Sequence, residues 1–127
     1  MKAKYGFFTI AFFLYMVLVF TMAFYPRLDI PHIPKGISAD KIAHLVQYFI
    51  FAFLYFKMRE IQKVRRKYVY IELFFIGILV SVFTEKIQHL IPGRTQCWFD
   101  TLANLLGFYG FILFSMLVHR KRKINER

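Results

Sequence analysis

Acid, imidazole and amide side chains recur at helical spacing along the latter two thirds of the chain. Asp40 and His44 are four apart, Glu85 precedes Gln88 and His89 by three and four, and Asp100 and Asn104 are four apart. Residues at these separations share one face of a helix. A carboxylate beside an imidazole can carry a proton, which makes Asp40 and His44 the candidate acid/base pair. Arg94, between the second and third sets, is the natural cation for Glu85, Asp100 or a phosphate, and Lys41 adds another. Thr95 and Cys97 qualify as nucleophiles by position alone. His44, Glu85 and His89 are acceptable zinc ligands, but their spacing follows no zinc pattern. Cys97 is the single cysteine, so neither an internal disulfide nor a cysteine-built metal site is available. No metal and no cofactor is expected.

These residues need elements to hold them. Apolar residues make up 58% of the 127-residue chain, above the roughly 45–50% of soluble domains. A soluble fold of this size has no interior for 17 Phe and 8 Tyr. Four continuous apolar stretches predict an all-α membrane protein, a single domain over 1–127 built as a four-transmembrane-helix bundle. The helices are expected over about 6–25, 40–57, 68–90 and 98–119. Continuous runs, without alternation, exclude a β-barrel. Pro26 ends the first helix, Pro31 and Pro34 keep the following linker non-helical, and Pro92-Gly93 breaks the third helix from the fourth. Ser38 or Asp40 is the expected N-cap of the second helix. Lys2 and Lys4 before an apolar run resemble a signal peptide, but the run is too long and no A-x-A site follows, so a retained helix is expected. Trp98 and the terminal tyrosines suit interface anchors.

The net charge of +11 lies in short clusters between apolar runs. That pattern orients helices and attracts anionic headgroups; no nucleic-acid partner is expected. With four spans, thirteen of the eighteen Lys and Arg fall on one side, so the positive-inside rule puts both termini in the cytoplasm of a multi-pass protein. Measured from the basic clusters at 1.5 Å per residue, His44, Asn104 and Glu85 then lie about 20, 24 and 27 Å up a hydrocarbon layer of about 30 Å. The first helix reads as a plain anchor. The other three read as apolar toward the basic side and polar toward the other. Glu72, near the basic side, is expected to snorkel or to pair with Lys67. Gly107 and Gly110 are expected to permit close helix packing.

The series Asp40-Lys41 with His44, Glu85 with Gln88, Pro92-Gly93-Arg94, and Asp100 with Asn104 and Gly107 resembles the VanZ-like family of bacterial membrane proteins. The resemblance runs from about Asp40 to Gly110, and the first helix fits by position only. Cys97 is a departure, since members often carry a small polar or acidic residue there. The resemblance implies a small multi-helix protein of the bacterial cytoplasmic membrane and cell envelope, in a family whose namesake is linked to resistance to the glycopeptide teicoplanin.

Three functions follow as alternatives. The first is a non-enzymatic site at the outer leaflet, formed by Asp40, Lys41, His44, Glu85, Gln88, Arg94, Asp100 and Asn104. It would bind membrane lipid headgroups, a lipid-linked cell-wall intermediate or a glycopeptide-type amphiphile. The second is a membrane enzyme acting on a lipid phosphate or glycan through Asp40 and His44. The third is a purely structural cluster, because interhelical hydrogen bonds hold bundles together. Intramembrane ionisable groups at one depth favour a site over glue.

Overall fold

The computed structural model of the protein describes residues 2–24, 39–91 and 98–125. They form four helices: α1 (Lys2–Phe24), α2 (Ala39–Ile61), α3 (Arg66–His89) and α4 (Trp98–Asn125). Three lengths within them are long and apolar enough to cross a membrane: Gly6–Phe24, Arg66–His89 and Trp98–Arg122. The second helix falls outside that set, where four such spans were expected. Its apolar core is short because His44 and Gln47 interrupt its first half and Lys57, Arg59 and Glu60 crowd its last turns.

Position in the bundle accounts for α2. It packs against all three other helices, most extensively against α4. Its Tyr48, Phe51, Ala52 and Phe56 are at most 2% exposed. Helix α1 lies against α2 and α3 and, among the described residues, does not touch α4. The helices therefore surround an α2–α3 pair, with α1 on one side and α4 on the other.

Contacts fix the directions. Phe12 of α1 meets Phe51 and Tyr55 of α2, while Phe20 meets Phe83 of α3. Phe49, Phe53 and Phe56 of α2 meet Phe111 of α4, and Phe74 of α3 meets Tyr109. Thus α1 and α3 run one way, and α2 and α4 the other. The starts of α1 and α3 and the ends of α2 and α4 share one end of the bundle, the basic one. The starts of α2 and α4 and the end of α3 share the opposite end.

The helices run further into the basic end than expected. Helix α2 continues a turn past Lys57 to Ile61, and α4 continues to Asn125. Cations at a helix C-terminus interact favourably with its dipole. The α2 stop is a Schellman motif: Lys63 N–H donates to Glu60 O at 3.0 Å and Val64 N–H to Arg59 O at 3.2 Å. Lys63, with φ 60°, occupies the left-handed position usually given to glycine. At the other terminus α2 begins at Ala39, so Asp40 lies inside its first turn and not at the cap; Ser38 lies outside the described residues.

Surface and interior are inverted relative to a soluble bundle. Every exposed residue of α2 from Ile42 to Phe53, of α3 from Ile71 to Phe83 and of α4 from Phe99 to Leu117 is apolar. On α1 the exposed hydroxyl of Thr21 donates to Val17 O at 2.8 Å. Buried positions meanwhile include Ser81, Thr84, Glu85, Asp100, Thr101, Asn104 and Ser115. Water-soluble surfaces do not sort this way, whereas a bundle surrounded by hydrocarbon must satisfy its polar groups inside.

Candidate functional site

The polar end is assembled around the α2–α4 crossing. Gly107 makes the crossing possible: a Cβ there would run into Leu45 O, and would lie 3.0 Å from Phe49 N and 3.1 Å from Tyr48 Cβ. Backbone meets backbone at this point. Asn104 is one turn along α4 from Gly107, on the same face. Close approach therefore delivers its Oδ1 to 3.0 Å from His44 Nδ1, with Asn104 1% exposed. With Oδ1 as acceptor, the imidazole donates from Nδ1.

Tyr48, one turn along α2 from His44, carries the network to α3. The two rings lie near parallel with centroids 6.5 Å apart. Tyr48 Oη and Thr84 Oγ1 are 2.6 Å apart, and Thr84 donates its own hydrogen to Val80 O at 2.8 Å. With the threonine hydrogen so used, Tyr48 is the donor. Ser81, three residues earlier on α3, is fully buried, and its Oγ has no hydrogen-bond partner among the described residues.

Two carboxylates stand in this region. Glu85 follows Thr84 and is 4% exposed; Asp100, one turn before Asn104, is 7% exposed. Their burial beside a histidine and an amide is costly in hydrocarbon without compensating contacts. At the rim, Lys41 Nζ sits 5.8 Å from the Phe99 ring centroid, and Trp98 and Phe99 are largely exposed. Asn104 is six residues along α4 from Trp98, which sets it about 9 Å deeper.

The structure thus brings His44 and Asn104 together and buries Glu85 and Asp100 at the same end. Gln88 is half-buried, while His89 is exposed. Among the described residues no three His, Cys, Asp or Glu converge in a way that could hold a metal ion. Arg94, Thr95 and Cys97 lie outside the described residues, as does the Asp40 side chain. The sequence reading missed Tyr48, Ser81 and Thr84. Tyr48 is four residues from His44, and Ser81 four from Glu85, so the helical ladder that found the ionisable residues also contains them.

Four expectations need correction. Gly110 does not mediate packing: a Cβ there meets nothing within 4 Å. It falls in the outward row of Leu102, Leu106, Leu113 and Leu117. The unrecognised packing glycine is Gly77, where a Cβ would lie 3.1 Å from the Phe108 ring. Glu72 does not pair with Lys67, which is five residues away and off its face. It accepts instead from Arg59 Nε at 2.8 Å and from Tyr55 Oη at 2.9 Å across the α2–α3 interface, while Lys67 lies over the Tyr68 ring at 4.9 Å. Finally, the basic end is not purely apolar inside: buried Ser115 meets Tyr70 Oη at 3.2 Å, and His119 Nδ1 donates to Ser115 O at 2.7 Å. Nor is α1 a plain anchor, since Tyr15 Oη donates to Gln47 O at 2.9 Å and Val19 is 1% exposed.

No family model matches the chain, and no solved structure matches it. An uncharacterised protein of the fission yeast Schizosaccharomyces pombe is 25% identical over 111 residues, which cover 87% of this chain. The chain spans 64% of that relative's length. Because this relative is fungal, the expected bacterial envelope setting draws no support from it.

Proposed function

We propose that this is a four-span, VanZ-like integral membrane protein with both termini cytoplasmic, whose outward polar end binds the headgroup of a membrane amphiphile. The observation that carries this reading is the burial of Glu85 and Asp100 beside the His44–Asn104 pair, all at one end of a bundle with an apolar exterior. The fourth span is supported by the outward face of α2, which is apolar throughout from Ile42 to Phe53. Orientation is supported by the basic clusters gathered at the opposite end. The site would lie within the outer leaflet, at a depth where a headgroup can meet imidazole, amide and carboxylate without leaving the bilayer. Asp40, Lys41 and Arg94 would complete it. A lipid-linked wall precursor, a phospholipid headgroup or a glycopeptide-type amphiphile all present the required hydroxyl, amide or phosphate groups.

The experiment is binding of such lipids by purified protein, before and after Asp100→Asn and Arg94→Ala. Binding that weakens at least several-fold in both supports the site, and binding unchanged across the set rejects it. A structural role has its own support, the Tyr48–Thr84 contact and the Gly107 crossing. On that reading Asp100→Asn lowers thermal stability in detergent and leaves lipid binding intact.

A further inference from the structure

The basic end carries a different surface. Nine Lys and Arg with described side chains gather there, against two acids, Glu60 and Glu72. Both acids are engaged locally. Glu60 takes Lys57 at 3.0 Å and Arg66 at 2.9 Å, and Glu72 takes Arg59. These pairs knit the α2–α3 turn to itself. They leave Lys63, Arg65, Lys67, Arg120, Lys121 and Arg122, all exposed, with no ion pair among the described residues.

Geometry joins the six into one field. The Phe56 ring packs on both Tyr70, at 5.7 Å, and His119, at 6.0 Å, so the end of α4 stands beside the α2–α3 turn. Lys63 occupies the left-handed position at the tip of that turn and is exposed. Immediately inside this ring the exposed surface becomes apolar: Ile71, Phe74 and Phe75 on α3, and Leu113, Phe114 and Leu117 on α4. The cations therefore stand at the level where hydrocarbon meets headgroups.

We infer that the α2–α3 turn and the end of α4 form a binding surface for anionic phospholipid headgroups, in which Lys63 and the Arg120-Lys121-Arg122 run supply the unpaired charge. This rests on the membrane-spanning reading and is independent of the headgroup site at the opposite end. Each cation near an anionic leaflet contributes about five-fold in binding. Phosphomonoester headgroups, with more charge, should be preferred to phosphodiesters.

The test uses the full chain reconstituted in bilayers, with spin-labelled phosphatidic acid, phosphatidylserine and phosphatidylcholine as probes of the lipid beside the protein. The expected order of association is phosphatidic acid, then phosphatidylserine, then phosphatidylcholine, with at least a several-fold spread that shrinks in high salt. The combined Arg120→Gln, Lys121→Gln and Arg122→Gln variant should bring the spread close to one. Lys63→Gln, a milder surface change, should reduce it in part. Equal association of all three lipids with the unaltered protein would overturn the inference. So would a spread retained in the combined variant, or one abolished by Asp100→Asn, which would assign it to the other end. Tighter binding of a single-stranded oligonucleotide than of anionic lipid would likewise overturn it.

Discussion

The two ends of the bundle solve the burial of polar groups in opposite ways. At the basic end most of the polar groups, the buried Ser115 aside, are half-exposed ions paired across a short turn, Arg59 with Glu72 and Lys57 and Arg66 with Glu60. At the other end they are buried, and bonds between described residues that join the helices include His44 with Asn104 and Tyr48 with Thr84. The first arrangement is screened by salt and water and tolerates substitution. The second depends on helices approaching to within backbone contact, and loses more when one partner is removed. An end that must hold two carboxylates away from water needs the second design. An end whose ions stay half-exposed needs only the first.

Glycine substitutions separate the two most sharply. Gly107→Ala drives a Cβ into Leu45 O, and should cost about 1–3 kcal/mol as an overpacked contact. Gly110→Ala, facing open space, should be neutral or slightly stabilising, because alanine is the better helix former. Thermal unfolding in detergent compares them, and equal losses at the two glycines would break the contrast. Next in size is Asn104→Leu, which removes the amide from His44. Interhelical hydrogen bonds of this kind are worth about 0.6 kcal/mol and up to about 1.7 in membranes. Its burial places Asn104 toward the upper part of that range, and the same unfolding measurement reads it.

Arg59→Gln should cost less than about 1 kcal/mol, and the loss should shrink as salt rises. A salt-independent loss would show that this pair is drier than its partial exposure indicates. Acid comes next. Burial raises the Glu60 carboxyl, but Lys57 and Arg66 outweigh that and hold it below the ordinary carboxylate range. A lowered value stabilises the fold above the unfolded pKa of about 4.3 and is lost as pH falls through the folded value. A Glu60→Gln variant should lack this small acid-range step, as pH-dependent unfolding would reveal. Last is Ser81→Ala, which removes a fully buried hydroxyl with no partner among the described residues. It should be neutral or stabilising, and a loss above about 1 kcal/mol would reveal a hydrogen bond at that hydroxyl.

The helices and the level of His44, Glu85, Asp100 and Asn104 were legible in the sequence, because apolar run length and three- and four-residue spacing report directly on a helix in lipid. What joins one helix to another was less so. Gly107 and Gly110 are three residues apart on one helix, and only the α4 crossing decides which of them faces α2. Nothing in the spacing joins Tyr48 to Thr84 until the α2–α3 register brings their hydroxyls together. Glu72 was given a sequence neighbour, Lys67, when its partner lies across the turn. The polar content of α2 goes with its place in the bundle, packed against all three other helices.

The strongest partnership, α2 with α4, joins helices that are not consecutive, with the whole of α3 made between them. During synthesis into a bilayer His44 would arrive well before Asn104. Until α4 follows, the imidazole must be accommodated by lipid headgroups, by water or by the insertion machinery. Completion of the polar end then waits on α4, and a chain stalled before residue 104 would present an unfinished helix surface of the kind membrane quality control detects.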